Sequence, residues 1–162
     1  MTEYHPEQEL CKKCGFCCDD TLFPHGTIEA DEILPFGLVE IYEKGERSFK
    51  LPCPHFNGLC TIYHQGRPEV CDSFQCLLFE DVMVEETSLE EALQLVEQIK
   101  AQKKRMCQLL SAYPGKTLRE KFRAFQRRHS DQRNSAEFKL SHKDLLTEWV
   151  LYNTRLKRFY ID

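Results

Sequence analysis

Eight of the nine cysteines fall between Cys11 and Cys76, a density that only a few kinds of chemistry use. Cys11-Lys-Lys-Cys14-Gly15-Phe-Cys17-Cys18 is the strongest local signal. Two residues between cysteines let both sulfurs point at one ion across a tight turn, and Gly15 lets the backbone fold so that amides approach the thiolates. A C-x-x-C-G turn suits tetrahedral zinc or a single iron, and adding Cys17 makes C-x-x-C-x-x-C, which also suits three corners of a four-iron cluster. The second group is Cys53-Pro54, Cys60 after an Asn57-Gly58 turn, Cys71 behind Arg67-Pro68, and Cys76. Cys11, Cys14, Cys17, Cys18, Cys53, Cys60, Cys71 and Cys76 are therefore the candidate metal ligands, and eight sulfurs divide naturally into two sites of four.

Neighbouring side chains usually diverge, so Cys17 and Cys18 are assigned to different sites. One partition groups Cys11, Cys14 and Cys17 with Cys53, leaving Cys18, Cys60, Cys71 and Cys76. A binuclear zinc site with shared sulfurs is an equal alternative. Spacing does not separate zinc from iron or an iron–sulfur cluster. The nearby Asp19, Asp20, Asp72, Glu80 and Asp81 disfavour adding an electron to a cluster, which leans the expectation toward a structural zinc ion.

Redox setting decides between metal and disulfides. The opening Met1–Leu10 is polar and carries three glutamates, no apolar run approaches the roughly 18 residues of a membrane span, and a cytoplasmic location follows as the expectation. Cytosolic reductants keep thiols apart, so metal is favoured over a scaffold of four bridges. His5, His25, His55 and His64 are weighed as substitute ligands and set aside because the sulfurs already form complete sets. Cys107 is read as a buried or incidental thiol, although Lys103, Lys104 and Arg105 stand nearby. No phosphate-cradling glycine loop, serine elbow or carboxylate pair is present, so no reaction is assigned and the reading leans away from an enzyme.

The elements that must position these residues read as two parts, a cysteine-cluster module over 1–80 and a helical extension over 81–162. The first is rich in Cys, Pro and Gly, lacks a long helical period, and places short strands or turns at Ile33–Ile41 and Leu59–Tyr63; Pro68 opens a short helical turn. Its sulfur ligands are expected to replace a large apolar core. In the second, a capping box at Ser88–Glu91 starts a helix of about seven turns carrying Leu89, Leu93, Val96, Ile99, Met106, Leu109 and Tyr113, ended by Pro114-Gly115. A second box at Thr117–Glu120 opens a helix reaching His129; Ser130–Ala136 reads as a loop; Ser141 starts a third helix with Leu145, Trp149, Tyr152, Leu156 and Phe159 as its packed stripe. The fold class is α+β: an irregular metal-stapled module with short strands, packed on about three C-terminal helices.

Charge divides the same way. Residues 1–98 hold 6 Lys or Arg against 20 Asp or Glu, and residues 99–162 hold 16 against 6. Lys116, Arg119, Lys121, Arg123, Arg127 and Arg128, interleaved with Phe122 and Phe125, have the composition of a nucleic-acid face. A solvated amphipathic helix is the preferred reading, and an adaptor that binds RNA or an acidic protein through the basic helices is the alternative.

Taken together, Cys11-x-x-Cys14-Gly15-x-Cys17-Cys18, Cys53-Pro54, Cys60-Thr-Ile62-Tyr63 and Arg67-Pro68-x-x-Cys71-x-x-Phe74 resemble the bacterial YkgJ-type cysteine-cluster family, which carries a zinc- or iron-chelating domain and whose cysteine motif is associated with flagellin lysine N-methylases. The resemblance covers about 66 residues and leaves the helical remainder unmatched. It implies metal chelation, with Tyr63, Arg67 and Phe74 as supports of the site, and it keeps open an iron–sulfur redox or methyl-transfer enzyme. Two features depart from the family pattern: three residues separate Tyr63 from Arg67 where two are usual, and Asp19 and Asp72 stand where arginine is frequent.

Overall fold

The computed structural model describes residues 6–160. His5 and the first residues of the polar opening stretch lie outside them. The chain is α+β, with seven helices and one three-stranded antiparallel sheet among the described residues. It divides into two compact units, Met1–Leu93 and Gln94–Asp162.

The first unit begins with helix α1 (Pro6–Cys14), followed by strands β1 (His25–Thr27), β2 (Glu40–Glu43) and β3 (Glu46–Lys50) in the order β1-β3-β2. The sheet is built on a two-residue hairpin between β2 and β3. Lys44 (φ 52°) and Gly45 (φ 88°) both take positive φ, the geometry whose twist matches paired strands. Arg47 on β3 clamps this sheet to the preceding loop: its guanidinium donates to both Glu40 carboxylate oxygens at 2.8 and 3.0 Å and to the carbonyls of Glu29 and Ala30 at 2.9 and 3.0 Å. Ile28, Phe49 and Leu51 form an apolar cluster against which Phe23, Leu34, Leu38, Val70, Cys53 and Cys71 pack. Helices α2 (Glu69–Ser73) and α3 (Leu77–Met83) follow, α2 beside β1 and α3 against α1, where Leu10, Phe16, Leu78 and Val82 are buried.

Two expectations change here. α1 and α3 are helices where the sequence points to none, because each is too short for a period to stand out and each is fixed by packing on the other. The unit also has a real if small apolar interior, where the sequence led to the expectation of sulfur ligands in place of one. Leu59–Tyr63 is a turn, preceded by an isolated bridge between Phe56 and Cys60 across Asn57-Gly58. Of Ile33–Ile41 only Glu40 and Ile41 enter a strand.

Helix α4 (Leu89–Leu109) starts on the expected box: Ser88 Oγ accepts from the Glu91 amide at 3.2 Å while Glu91 accepts from the Ser88 amide at 3.0 Å. It ends a turn early, at Leu109. Leu110, not Leu109, carries the last buried position; Leu109 is 52% exposed, because the stripe Val96, Ile99, Gln102, Met106 and Leu110 drifts by one residue around the axis.

In the second unit, α5 (Leu118–Arg128) has both reciprocal bonds of the Thr117 capping box. The third predicted helix is two. α6 (Ala136–Ser141) is capped by Ser135, whose oxygen accepts from the Phe138 amide, and α7 (Lys143–Leu156) begins after His142, which serves as the end of one and the start of the other. Ser141 cannot cap α7 because it sits in the last turn of α6, where its hydroxyl donates to the Phe138 carbonyl at 3.0 Å. The stripe Leu145, Tyr152, Leu156 and Phe159 is buried as expected, and Trp149 stacks on Phe122 with centroids 3.5 Å apart and planes at 6°. The fully buried Gln102 donates to the Glu148 carboxylate at 2.8 Å and accepts from Arg155.

Phe122 and Phe125 are buried, at 4% and 2% exposure, so the rings that a nucleic-acid face would use for base stacking belong to the core. Phe122→Ala is expected to cost the second unit about 3–5 kcal/mol, the usual loss for emptying an aromatic core position. Trp149, the single tryptophan, reports that unfolding directly in a urea titration. No helix among the described residues is long and apolar enough to cross a membrane.

Candidate metal centre

Cys11 and Cys14 stand three residues apart in the final turn of α1, on one face of it. The C-x-x-C pair is thus presented by a helix rather than by a free turn. Gly15 ends that helix in the left-handed region, φ 76°. Its carbonyl then accepts from the amides of Cys18 and Asp19, both at 2.9 Å, a tight turn that swings Cys17 and Cys18 back beneath the helix end. Nothing larger than glycine fits: a Cβ at this position would lie 1.9 Å from Cζ of Phe56.

The other four cysteines arrive from separate segments. The Cys53 amide donates to the Cys18 carbonyl at 2.7 Å, joining the two groups through the backbone. Cys60 closes the Asn57-Gly58 turn opposite Phe56. Cys71 lies in α2, which opens after Pro68 as expected, and its amide bonds the Pro68 carbonyl at 2.8 Å. Cys76 is the residue that precedes α3, with φ −89° and ψ 159°, and the packing of α3 on α1 brings it to Cys14. No disulfide joins any of the nine cysteines, all of which are described.

Cys11, Cys17, Cys18, Cys53, Cys60 and Cys71 line one cavity of about 360 Å³. Its walls are mostly apolar, with Phe23, Phe49, Leu51, Ile62, Val70 and Phe74 facing the sulfurs. Phe23 and Phe74 meet edge to face at 5.0 Å. Cys14 and Cys76 are not part of this lining.

Cys11, Cys14, Cys17, Cys18, Cys53, Cys71 and Cys76 resist ionisation, chiefly because they are buried, with crowding by neighbouring cysteines adding to it. Burial pushes Cys14 well up, partly offset by the Phe16 amide and reinforced by Cys76 and Cys11. Cys17 is raised by burial and then by Cys14, Cys76 and Cys18. Cys18 is raised by burial and then by Cys53, Cys60 and Cys71. Cys71 is pushed up to about 12 by burial and Cys53, with Arg67 pulling the other way. Among these influences Cys14 and Cys17 both feel Cys76, Cys18 and Cys71 both feel Cys53 and Cys60, and Cys11 acts on all four.

Cys11 is the best supported of the eight. Burial raises it, and Arg67 and the Tyr63 hydroxyl draw it down. The Arg67 guanidinium lies 3.9 Å above the Tyr63 ring and its Nε donates to Asp72 at 2.6 Å. Asp72, a departure from the family pattern, therefore holds the arginine whose charge favours the Cys11 thiolate.

As placed, no group of three or more His, Cys, Asp or Glu side chains among the described residues is arranged to hold an ion. The donor chemistry nonetheless fits zinc or iron: a cluster of sulfurs, soft and crowded, whose mutual repulsion on ionising a bound cation would relieve. Of the histidines, His25 on β1 borders the cavity, His55 Nε2 is engaged by the Phe36 carbonyl at 2.7 Å, and His64 is exposed against Tyr63. Cys107 lies on α4 within the second unit. Phe56 and Phe23 were not legible in sequence as parts of the site, since neither is adjacent to a cysteine and no spacing marks them.

A family model, CxxCxxCC, described as a putative zinc- or iron-chelating domain, matches residues 10–108. That is well over half of the chain, and it extends past Cys76 across α3 and nearly all of α4, which the resemblance read from sequence had left unmatched. No curated protein and no solved structure gives a significant match.

Proposed function

The chain belongs to the CxxCxxCC family, and from that membership and the geometry of its thiols we propose a zinc-binding protein whose ligands are Cys11, Cys14, Cys17, Cys18, Cys53, Cys60, Cys71 and Cys76 and whose role is structural or accessory rather than catalytic. The observation that carries this reading is convergence. Thiols from α1, the turn after it, the 53–60 loop, α2 and the start of α3 gather in one unit with no disulfide among them. Neutral cysteines bury readily one at a time, but eight gathered in one unit with none in a disulfide match the donor set of soft-metal sites, where a cation takes the place of their protons.

Zinc contributes folding energy without colour or redox chemistry, and the acidic residues around the site favour it over a cluster that must accept electrons. A reduced cytoplasm is the compartment in which such thiols keep their metal. Arg67 and Tyr63 favour the Cys11 thiolate, and the aromatic walls limit water.

Anaerobic purification, metal analysis and an absorption spectrum test this. The expected product is colourless and carries zinc. A brown protein with about four irons per chain would transfer the reading to an iron–sulfur centre, and an ordered, metal-free protein would end it.

A further inference from the structure

We propose that the open edge of β2 is a docking site, where an extended segment of a partner protein, Lys or Arg alternating with apolar residues, adds a further strand to the sheet. The order β1-β3-β2 leaves β2 paired on one side only among the described residues. The Lys50 amide donates to the Val39 carbonyl at 2.9 Å, which makes Val39 and Lys50 a hydrogen-bonded pair. Along an antiparallel ladder such pairs alternate with pairs that exchange no bonds, and the register puts Glu40 with Phe49 and Tyr42 with Arg47 among the latter. Glu40 and Tyr42 therefore turn their N–H and C=O groups to the open side, the template on which an incoming strand builds.

The approach to this edge is apolar. Ile33, Phe36, Val39 and Tyr42, on β2 or the chain leading into it, are exposed at 92%, 97%, 59% and 71%. A shallow depression of about 470 Å³ that takes in Tyr42, Gly45 and Glu46 meets, at Ala30, another of about 510 Å³ that takes in Glu29, Asp31, Glu32, Ile33 and Glu69. Charge chooses the occupant. From Glu29 to Arg47 there are six carboxylates, Glu29, Asp31, Glu32, Glu40, Glu43 and Glu46, against Lys44 and Arg47. Arg47 is already engaged by Glu40 and by the carbonyls of Glu29 and Ala30. A second copy pairing edge to edge would bring this acidic segment against itself, whereas a cationic strand with apolar residues between its charges matches both the carboxylates and the exposed side chains.

Titration of the isotope-labelled full chain, as purified, with the peptide acetyl-Lys-Val-Lys-Val-Lys-Val-Lys-amide, followed by amide chemical shifts, is the test. Binding with Kd below about 1 mM at low salt is expected, with the shifts concentrated at Val39–Glu43 and Glu29–Ile33 and the affinity falling as salt screens the charges. The same peptide N-methylated at every residue keeps its charge and loses its donors, and should bind at least about tenfold more weakly. Tyr42→Pro, which deletes an outward-facing donor without touching the β3 ladder, should weaken the parent peptide to a similar degree. The double variant Glu43→Lys with Glu46→Lys should do so by reversing the charge, whether or not the proline variant folds. No binding of the parent peptide, equal binding of its N-methylated form or of the peptide with Glu in place of Lys, shifts that avoid β2, or a dimer of the free chain joined through β2 overturns the proposal.

Discussion

Complete removal of metal from the native chain is expected to unfold the Met1–Leu93 unit and to leave the helices of Gln94–Asp162 standing. Structural zinc sites contribute on the order of 10 kcal/mol to folding, more than the whole stability of many small domains. The first unit has little to set against that loss: an apolar cluster of Ile28, Phe49 and Leu51, a second around Leu10, Phe16, Leu78 and Val82, and a sheet of three short strands. The second unit contains none of the eight candidate ligands. Its core is aromatic and aliphatic, and its polar centre is the Gln102–Glu148–Arg155 network. Chelation should therefore remove part of the far-ultraviolet circular dichroism and expose the first unit to protease while Trp149 emission stays native. Cys14→Ser should produce the same partial unfolding, since the buried Cys14 sits where α1 meets α3. A variant that melts like the wild type with its full metal load would remove Cys14 from the ligand set.

Gly15→Ala should be nearly as damaging although it touches no sulfur. A left-handed φ of 76° costs a residue with a Cβ roughly 1–2 kcal/mol. The larger part is steric, because the new methyl would be driven into the Phe56 ring, with all three of the nearest ring atoms within 2.5 Å. Phe56 in turn pairs with Cys60, so its displacement disturbs the second sulfur group as well as the first. A loss of more than about 4 kcal/mol is expected for the first unit, in the range that marks a specific structural conflict. The double variant Gly15→Ala with Phe56→Ala should recover part of it by making room. If the double variant is no better than the single one, contact with Phe56 is not the reason glycine stands there.

The amino-acid sequence by itself determined what depends on neighbours along the chain. The donor chemistry follows from residue type, the boxes at Ser88 and Thr117 satisfy backbone donors within a single turn, and the stripes of α4, α5 and α7 repeat at 3.6 residues wherever the helix is long enough for a period to emerge. Short elements escaped it. α1 and α3 have no room for periodicity, and the turn between α6 and α7 was read as a cap because Ser141 has the right side chain in the wrong turn. Tertiary structure alone decided which sulfurs meet. Cys14 and Cys76 are brought together by the packing of two helices far apart in sequence, Cys18 and Cys53 by one backbone hydrogen bond, and the cavity by the arrangement of β1, β3 and α2 around them. The physical reason is the reach of the interactions: capping and helical spacing act over three or four residues, whereas the contacts that sort the eight cysteines close loops of tens of residues, and no local pattern records which loop closes on which.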